Sequence, residues 1–171
     1  VALAGIMGGA DTGVTGDTRD VFLESAFFEP DVIAGRTRDL GFTSDSAYRF
    51  ERGVDFALAP VAIERATGLI LDICGGNAGP VTEAIDTLPA WKSIELRLPR
   101  IARLLGAHVP DREVDAILSR LGCMVATGDG VRHVEPPSWR FDLSIEQDLI
   151  EEVARVHGYE RFEALAPAST G

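Results

Sequence analysis

Hydrophobic and polar positions divide the chain into two stretches of different rhythm. In the first, residues 1–6 form a short apolar run ending at Gly8 and Gly9, which predicts a strand. A polar turn over residues 11–18 leads to residues 21–28, where Val21, Leu23 and Phe28 predict a second strand. Pro30 and Asp31 open a helix with Val32 and Ile33 as its first apolar positions, and residues 41–47 read as a loop. The strongest helical signal of this half starts at Pro60. There Val61, Ile63, Ala66, Leu69, Ile70 and Ile73 recur at helical spacing until Gly75 and Gly76 stop them. Residues 81–85 predict one more strand.

Residues 87–90 read as a linker, and a second module starts at Trp91. Ile94, Leu96 and Leu98 alternate with charged residues as in a half-buried strand. Residues 99–105 predict a short helix. Asp111 is the expected N-cap of another, which carries Val114, Ile117, Leu118 and Leu121 and stops at Gly122. Residues 124–126 and 131–134 predict a hairpin around Gly128, Asp129 and Gly130, and residues 144–158 an amphipathic helix burying Ile145, Leu149, Val153 and Val156. Two helices followed by a hairpin is the order of a winged helix-turn-helix.

Composition narrows the setting. The 171 residues are 46% hydrophobic, enough for one large or two small cores, and no apolar run has the length of a membrane span. The chain opens at Val1 inside an apolar run with no basic-then-apolar leader, which reads as a piece of a longer cytoplasmic protein. Only the last residues, 167–171, look disordered by composition. Cys74 and Cys123 lie far apart among apolar neighbours, so both are expected reduced and buried, with a disulfide as the alternative. The net charge of −11 argues against a nucleic-acid binder held by phosphate contacts. It is uneven: residues 1–89 have 6 basic and 14 acidic side chains, residues 90–171 have 10 and 13.

Two constellations could carry chemistry. Asp148, Glu151 and Glu152 stand at i, i+3 and i+4 on one helix face, with Asp142 just upstream. Crowded carboxylates need a compensating cation, and hard oxygen ligands suit Mg²⁺ or Ca²⁺. Equally, the four can be a solvated acidic face favoured by the helix dipole. The second is residues 41–55, where hydroxyls, acids and arginines crowd a glycine-bounded stretch, as in a polar pocket wall or an ion-paired surface loop. Glu24, beside Phe22, Phe27 and Phe28, is either on a solvent face or a polar group in a pocket. No Cys or His pair has zinc spacing, and Lys92 is the only lysine, so there is no P-loop.

Four runs resemble the B3/B4 domain of the phenylalanyl-tRNA synthetase β-subunit family: Ala4-Gly5-Ile6-Met7-Gly8-Gly9, Leu23-Glu24-Ser25-Ala26-Phe27-Phe28, Tyr48-Arg49-Phe50-Glu51-Arg52-Gly53-Val54-Asp55 and Ile73-Cys74-Gly75-Gly76. Pro137-Ser138-Trp139-Arg140-Phe141-Asp142 and Asp148-Leu149-Ile150-Glu151-Glu152-Val153-Ala154-Arg155 resemble its B5 domain. The resemblance implies an α+β fold: part of a mixed B3/B4 domain over residues 1–88, a helix-turn-helix-like B5 domain over 89–165, and a tail over 166–171. It implies an (αβ)₂ ligase that uses ATP and Mg²⁺ to join phenylalanine to tRNA(Phe), with its synthetic site on the α subunit. B3/B4 is then expected to hydrolyse mischarged tyrosyl-tRNA. The editing pocket falls on Gly8, Glu24, Ser44 and Ser46, with Glu24 where a carboxylate recognises the tyrosine hydroxyl. Ser44 stands where threonine is common and Ser46 where alanine is, so a more polar pocket floor is expected. The family's other pocket residues, a histidine among them, would lie upstream of Val1, so the chain alone is expected to be inactive. A Mg²⁺ shared with the α subunit is expected on Asp142, Asp148, Glu151 and Glu152. Two readings compete with this one. In the first the chain is an independent winged-helix binder of DNA or RNA with Arg97, Arg100, Arg103, Arg112 and Arg120 as its basic surface; in the second it is a purely structural module.

Overall fold

A computed structural model describes residues 1–90 and 92–162. By its contacts the chain separates into two compact units, Val1–Pro89 and Ala90–Gly171.

The first unit is built around a small hairpin. β1 (Ala2–Leu3) pairs antiparallel with β2 (Met7–Gly8), in place of the continuous strand expected over residues 1–6. Gly5 makes the turn at φ 69°, and a Cβ there would come within 2.9 Å of the Phe28 ring. Glycine is therefore required twice over, by conformation and by space. Residues 18–29 contain no strand, contrary to the expectation for 21–28, and residues 81–85 form none either. An extended run becomes a strand only beside a backbone whose groups it can bond, and among the described residues this unit offers two strands of two residues each.

Three short helices follow: α1 (Pro30–Ile33), α2 (Arg36–Leu40) between left-handed Gly35 and Gly41, and α3 (Asp45–Phe50). The expected loop over 41–47 thus ends early, because the Ser44 hydroxyl accepts from the Ala47 N–H at 3.1 Å and starts α3. Ile6, Ile33 and Ala47 form the buried core, ringed by Phe28, Phe42 and Phe50. α4 (Ala59–Cys74) has the length and apolar rhythm anticipated, yet none of its residues is buried, and Ile73 is 78% exposed. Cys74 at its end is likewise exposed rather than buried, while both cysteines are free thiols.

The second unit has a dense core. Its antiparallel sheet runs in the order β3 (Ile94–Arg97), β5 (Val131–Glu135), β4 (Met124–Thr127), with Ile94 opposite Val134 and Val125 opposite the same residue. α5 (Leu98–Leu105) and α6 (Asp111–Arg120) precede the β4–β5 wing. Asp111 is the first residue of α6, and Pro110 holds the cap position; Asp111 and Glu113 still place negative charge at the helix N-terminus. α7 (Glu146–His157) closes the unit, and a single 3₁₀ turn, Tyr159–Arg161, follows it. Leu96, Ile101, Val114, Leu118, Val134, Leu149 and Val153 are fully buried together. α7 turns Leu149, Ile150, Val153 and Ala154 inward, while Ile145 and Val156, expected on that face, are exposed. Arg132, only 8% exposed, is held by Asp115 through two hydrogen bonds of 2.7 and 3.1 Å. No helix among the described residues is long and apolar enough to cross a membrane.

This contrast between the units sets an expectation for stability. Leu118→Ala should cost about 2–5 kcal/mol through lost burial and a residual cavity. Val61→Ala, on the uncovered α4, should change stability by no more than about 0.5 kcal/mol. Urea denaturation followed by far-ultraviolet circular dichroism measures both, and equal losses would contradict this division.

Candidate functional site

Of the residues singled out in the first unit, Gly8 lies on the β1–β2 hairpin and Ser44 and Ser46 bond to its turn, and they are not equally available. Ser44 caps α3 and also donates its hydroxyl to the carbonyl of Ile6. Ser46 donates to the carbonyl of Gly5 at 2.9 Å. Two serines two residues apart thus clamp the Gly5–Ile6 turn onto the start of α3. Their hydroxyls are spent on backbone carbonyls, so their role here is to position the hairpin that carries Gly8. Gly8 is exposed and, with Val1, Leu3, Met7 and Thr12, lines a shallow hollow of about 440 Å³. Glu24 is exposed and makes no hydrogen bond or ion pair among the described residues.

The acidic residues of the second unit have three different environments. Asp148 stands in the first turn of α7, and its Oδ2 accepts the backbone N–H groups of Ser144 at 2.8 Å and Ile145 at 2.9 Å. A carboxylate there satisfies donors that a helix N-terminus leaves open. Asp142 is grasped side-on by Arg140: Nε donates to Oδ1 at 2.8 Å and Nη2 to Oδ2 at 2.7 Å. The same guanidinium reaches Glu152, Nη1 to Oε2 at 3.3 Å and Nη2 to Oε1 at 3.2 Å. Arg155, one turn along α7, donates to both oxygens of Glu152 from the other side. Glu152 itself is only 9% exposed, whereas Glu151 is exposed and has no such partner among the described residues.

The electrostatics follow from these contacts. The hydrogen bonds from Arg140 hold the Asp142 carboxyl below its ordinary range. For Glu152, burial alone would push the carboxyl up, but the hydrogen bonds and charges of Arg155 and Arg140 outweigh it and the net shift is downward. Arg140 is raised in turn, chiefly by its hydrogen bond to Asp142. Burial also pushes the nearby Cys123 thiol up, against the lowering influence of Arg140.

The four carboxylates therefore do not converge on one point. Among the described residues no group of three or more Asp, Glu, His or Cys side chains could hold a metal ion. As arranged in this chain they do not fit Mg²⁺, which requires several oxygens placed octahedrally at close range. Arg140 bridges Asp142 and Glu152 instead.

Two further groups were not evident from the sequence pattern. Glu146, at the start of α7, accepts the Arg97 backbone N–H at 2.9 Å and its Nε at 3.0 Å, and also pairs with Arg97 Nη2 and Arg100 Nη1. It fastens the end of β3 to the last helix. Glu146 engages both Arg97 and Arg100, so two of the five arginines expected to form a nucleic-acid surface are tied within the unit and share one compensating negative charge. His157 Nδ1 lies 2.8 Å from Glu113 Oε1, which links α7 to α6. Both pairings unite residues more than forty positions apart, so only the rule that acids favour the first helical turn and bases the last pointed toward them.

Residues 1–75 match the B3/4 domain, and residues 94–159 match the tRNA synthetase B5 domain. The chain is 55% identical over 169 residues to the phenylalanine–tRNA ligase beta subunit of Chromobacterium violaceum, covering 99% of this chain and 22% of that protein. It is 56% identical over 167 residues to the subunit of the same name from Nitrosospira multiformis, covering 98% of this chain and 21% of the relative. The corresponding protein of Xanthomonas campestris pv. campestris is 56% identical over 170 residues. The chain thus spans about a fifth of the length of the curated relatives it matches. With both domains present in this order and similarity along nearly all of its length, the chain belongs to the phenylalanine–tRNA ligase beta subunit family.

Proposed function

We propose that this chain is a portion of the β subunit of a cytoplasmic phenylalanine–tRNA ligase, which joins phenylalanine to tRNA(Phe) at the expense of ATP. The observation that carries the reading is 55% identity along 99% of the chain to a protein of that name. Synthesis belongs to the α subunit in this reading, so the chain supplies no residue to that step. Its first unit contributes to hydrolytic editing of tyrosyl-tRNA, and its second to the contact with the α subunit in an (αβ)₂ tetramer.

In the editing role, Glu24 is the residue that distinguishes the two amino acids. Its carboxylate is free to accept a hydrogen bond from the tyrosine phenol, which phenylalanine lacks. A site built to receive a hydroxyl discriminates strongly, since the wrong ligand leaves the polar group unpaired. Ser44 and Ser46 act indirectly, by fixing the hairpin on which Gly8 sits. In the contact role, Glu151 is the available carboxylate, because Asp142, Asp148 and Glu152 are engaged within the chain. The Mg²⁺ associated with these residues by family resemblance requires Arg140 to leave Asp142 and Glu152, and further ligands from the α subunit.

Two experiments on the complete αβ enzyme test this reading. Glu24→Ala should slow tyrosyl-tRNA deacylation roughly ten- to a hundredfold, the range for losing a hydrogen bond to a charged group, and leave phenylalanine activation intact. Undiminished deacylation would remove Glu24 from the role. Glu151→Gln should weaken α–β association, measured by sedimentation equilibrium, without lowering the melting temperature of this chain by itself. Unaltered association would exclude Glu151 from the contact.

A further inference from the structure

We infer that Arg140 occupies the cation position of the acidic cluster, so that the second unit is fastened by a metal-independent guanidinium clasp and a divalent cation must compete with Arg140 for Asp142 and Glu152. Three observations support this. First, the contacts are stereochemically complete. Arg140 binds Asp142 bidentately at 2.7 and 2.8 Å and spans to Glu152 at 3.2 and 3.3 Å. A planar guanidinium fork matches a carboxylate edge in this geometry, whereas a small dication demands a different arrangement of the same oxygens.

Second, the charges balance. Asp142 and Glu152 contribute two negative charges, and Arg140 and Arg155 two positive ones. Asp148 is satisfied by backbone N–H groups at the positive end of α7. What remains to attract a dication is Glu151 alone, exposed to water.

Third, the clasp supports the fold. Glu152 is one of the buried residues of α7, with the core residues Leu149 and Val153. A buried carboxylate with its counter-charges removed is strongly unfavourable, so the arginines are required whenever the chain stands alone. Arg140 lies in the segment between β5 and α7, and its contact with Glu152 ties that segment to the helix. This inference concerns the chain's own side chains and stands independently of the editing and subunit-contact roles proposed above.

The test uses the 171-residue chain and Mn²⁺ as the probe, with the free-ion electron paramagnetic resonance signal reporting binding. Wild-type protein should show no saturable Mn²⁺ uptake in the low-millimolar range, and its melting temperature should be the same in chelator and in excess Mg²⁺. Arg140→Ala exposes Asp142 and part of Glu152. It should melt lower, bind Mn²⁺ at least about tenfold more tightly than wild type, since affinity follows the number of available ligand charges, and regain part of its stability with Mg²⁺. Arg140→Gln, which keeps hydrogen-bonding capacity while removing the charge, should behave the same way and serves if the alanine variant does not fold. Saturable Mn²⁺ binding by wild type, chelator-sensitive melting of wild type, or a folded variant that gains no Mn²⁺ affinity would each overturn the inference.

Discussion

A carboxylate buried under a helix must bring its counter-charge with it, and the second unit is arranged around that requirement. Glu152 sits on the inward side of α7 among Leu149, Val153 and Ala154, where an unpaired charge would be intolerable. Arg155 reaches it along the same helix and Arg140 from the segment that enters the helix. Because Arg140 also grips Asp142, the connection from the β4–β5 wing to α7 is drawn against the helix at this point. Glu146 does similar work at the helix start, joining α7 to β3 through Arg97, and Glu113 joins it to α6 through His157. The hydrophobic core supplies the bulk of the driving force, and these pairs fix which way α7 lies on it.

The two units show how far a hydrophobic pattern can be read. Every element expected in residues 94–157 is present within a few residues, because the apolar positions that recur along these elements meet in one shared core, even though Met124, Ile145 and Val156 stay outside it. In the first unit the same kind of pattern gave helix α4 correctly and misplaced strands at 21–28 and 81–85. The pattern identifies which side chains seek cover, but a strand also needs an adjacent backbone, and the sequence does not say whether one is at hand. The exposed face of α4 makes the same point: an amphipathic rhythm establishes the helix without establishing what covers it.

Candidate residues could be picked out of the sequence, but their pairings could not. Asp148, Glu151 and Glu152 do share a helix, but i, i+3, i+4 spacing places Cα positions and says little about where each carboxylate turns. Asp148 turns back to the helix N-terminus, Glu152 turns under it, and Glu151 faces water. Arg140 and Arg155 stood in plain view beside the acids, yet counting carboxylates alone made the cluster look like a cation site. The serines of the first unit repeat the lesson, since their hydroxyls serve the Gly5–Ile6 carbonyls. A polar residue in a promising motif is available for chemistry only once its own backbone's demands have been met.

In this chain guanidinium groups, rather than a metal, compensate Asp142 and Glu152. Anomalous diffraction from crystals of the 171-residue protein grown with Mn²⁺ tests it most directly. The expected map shows the Arg140 guanidinium between Asp142 and Glu152 and no anomalous peak among the four carboxylates. A Mn²⁺ peak bound by two or more of Asp142, Asp148, Glu151 and Glu152, with Arg140 swung away, would contradict it.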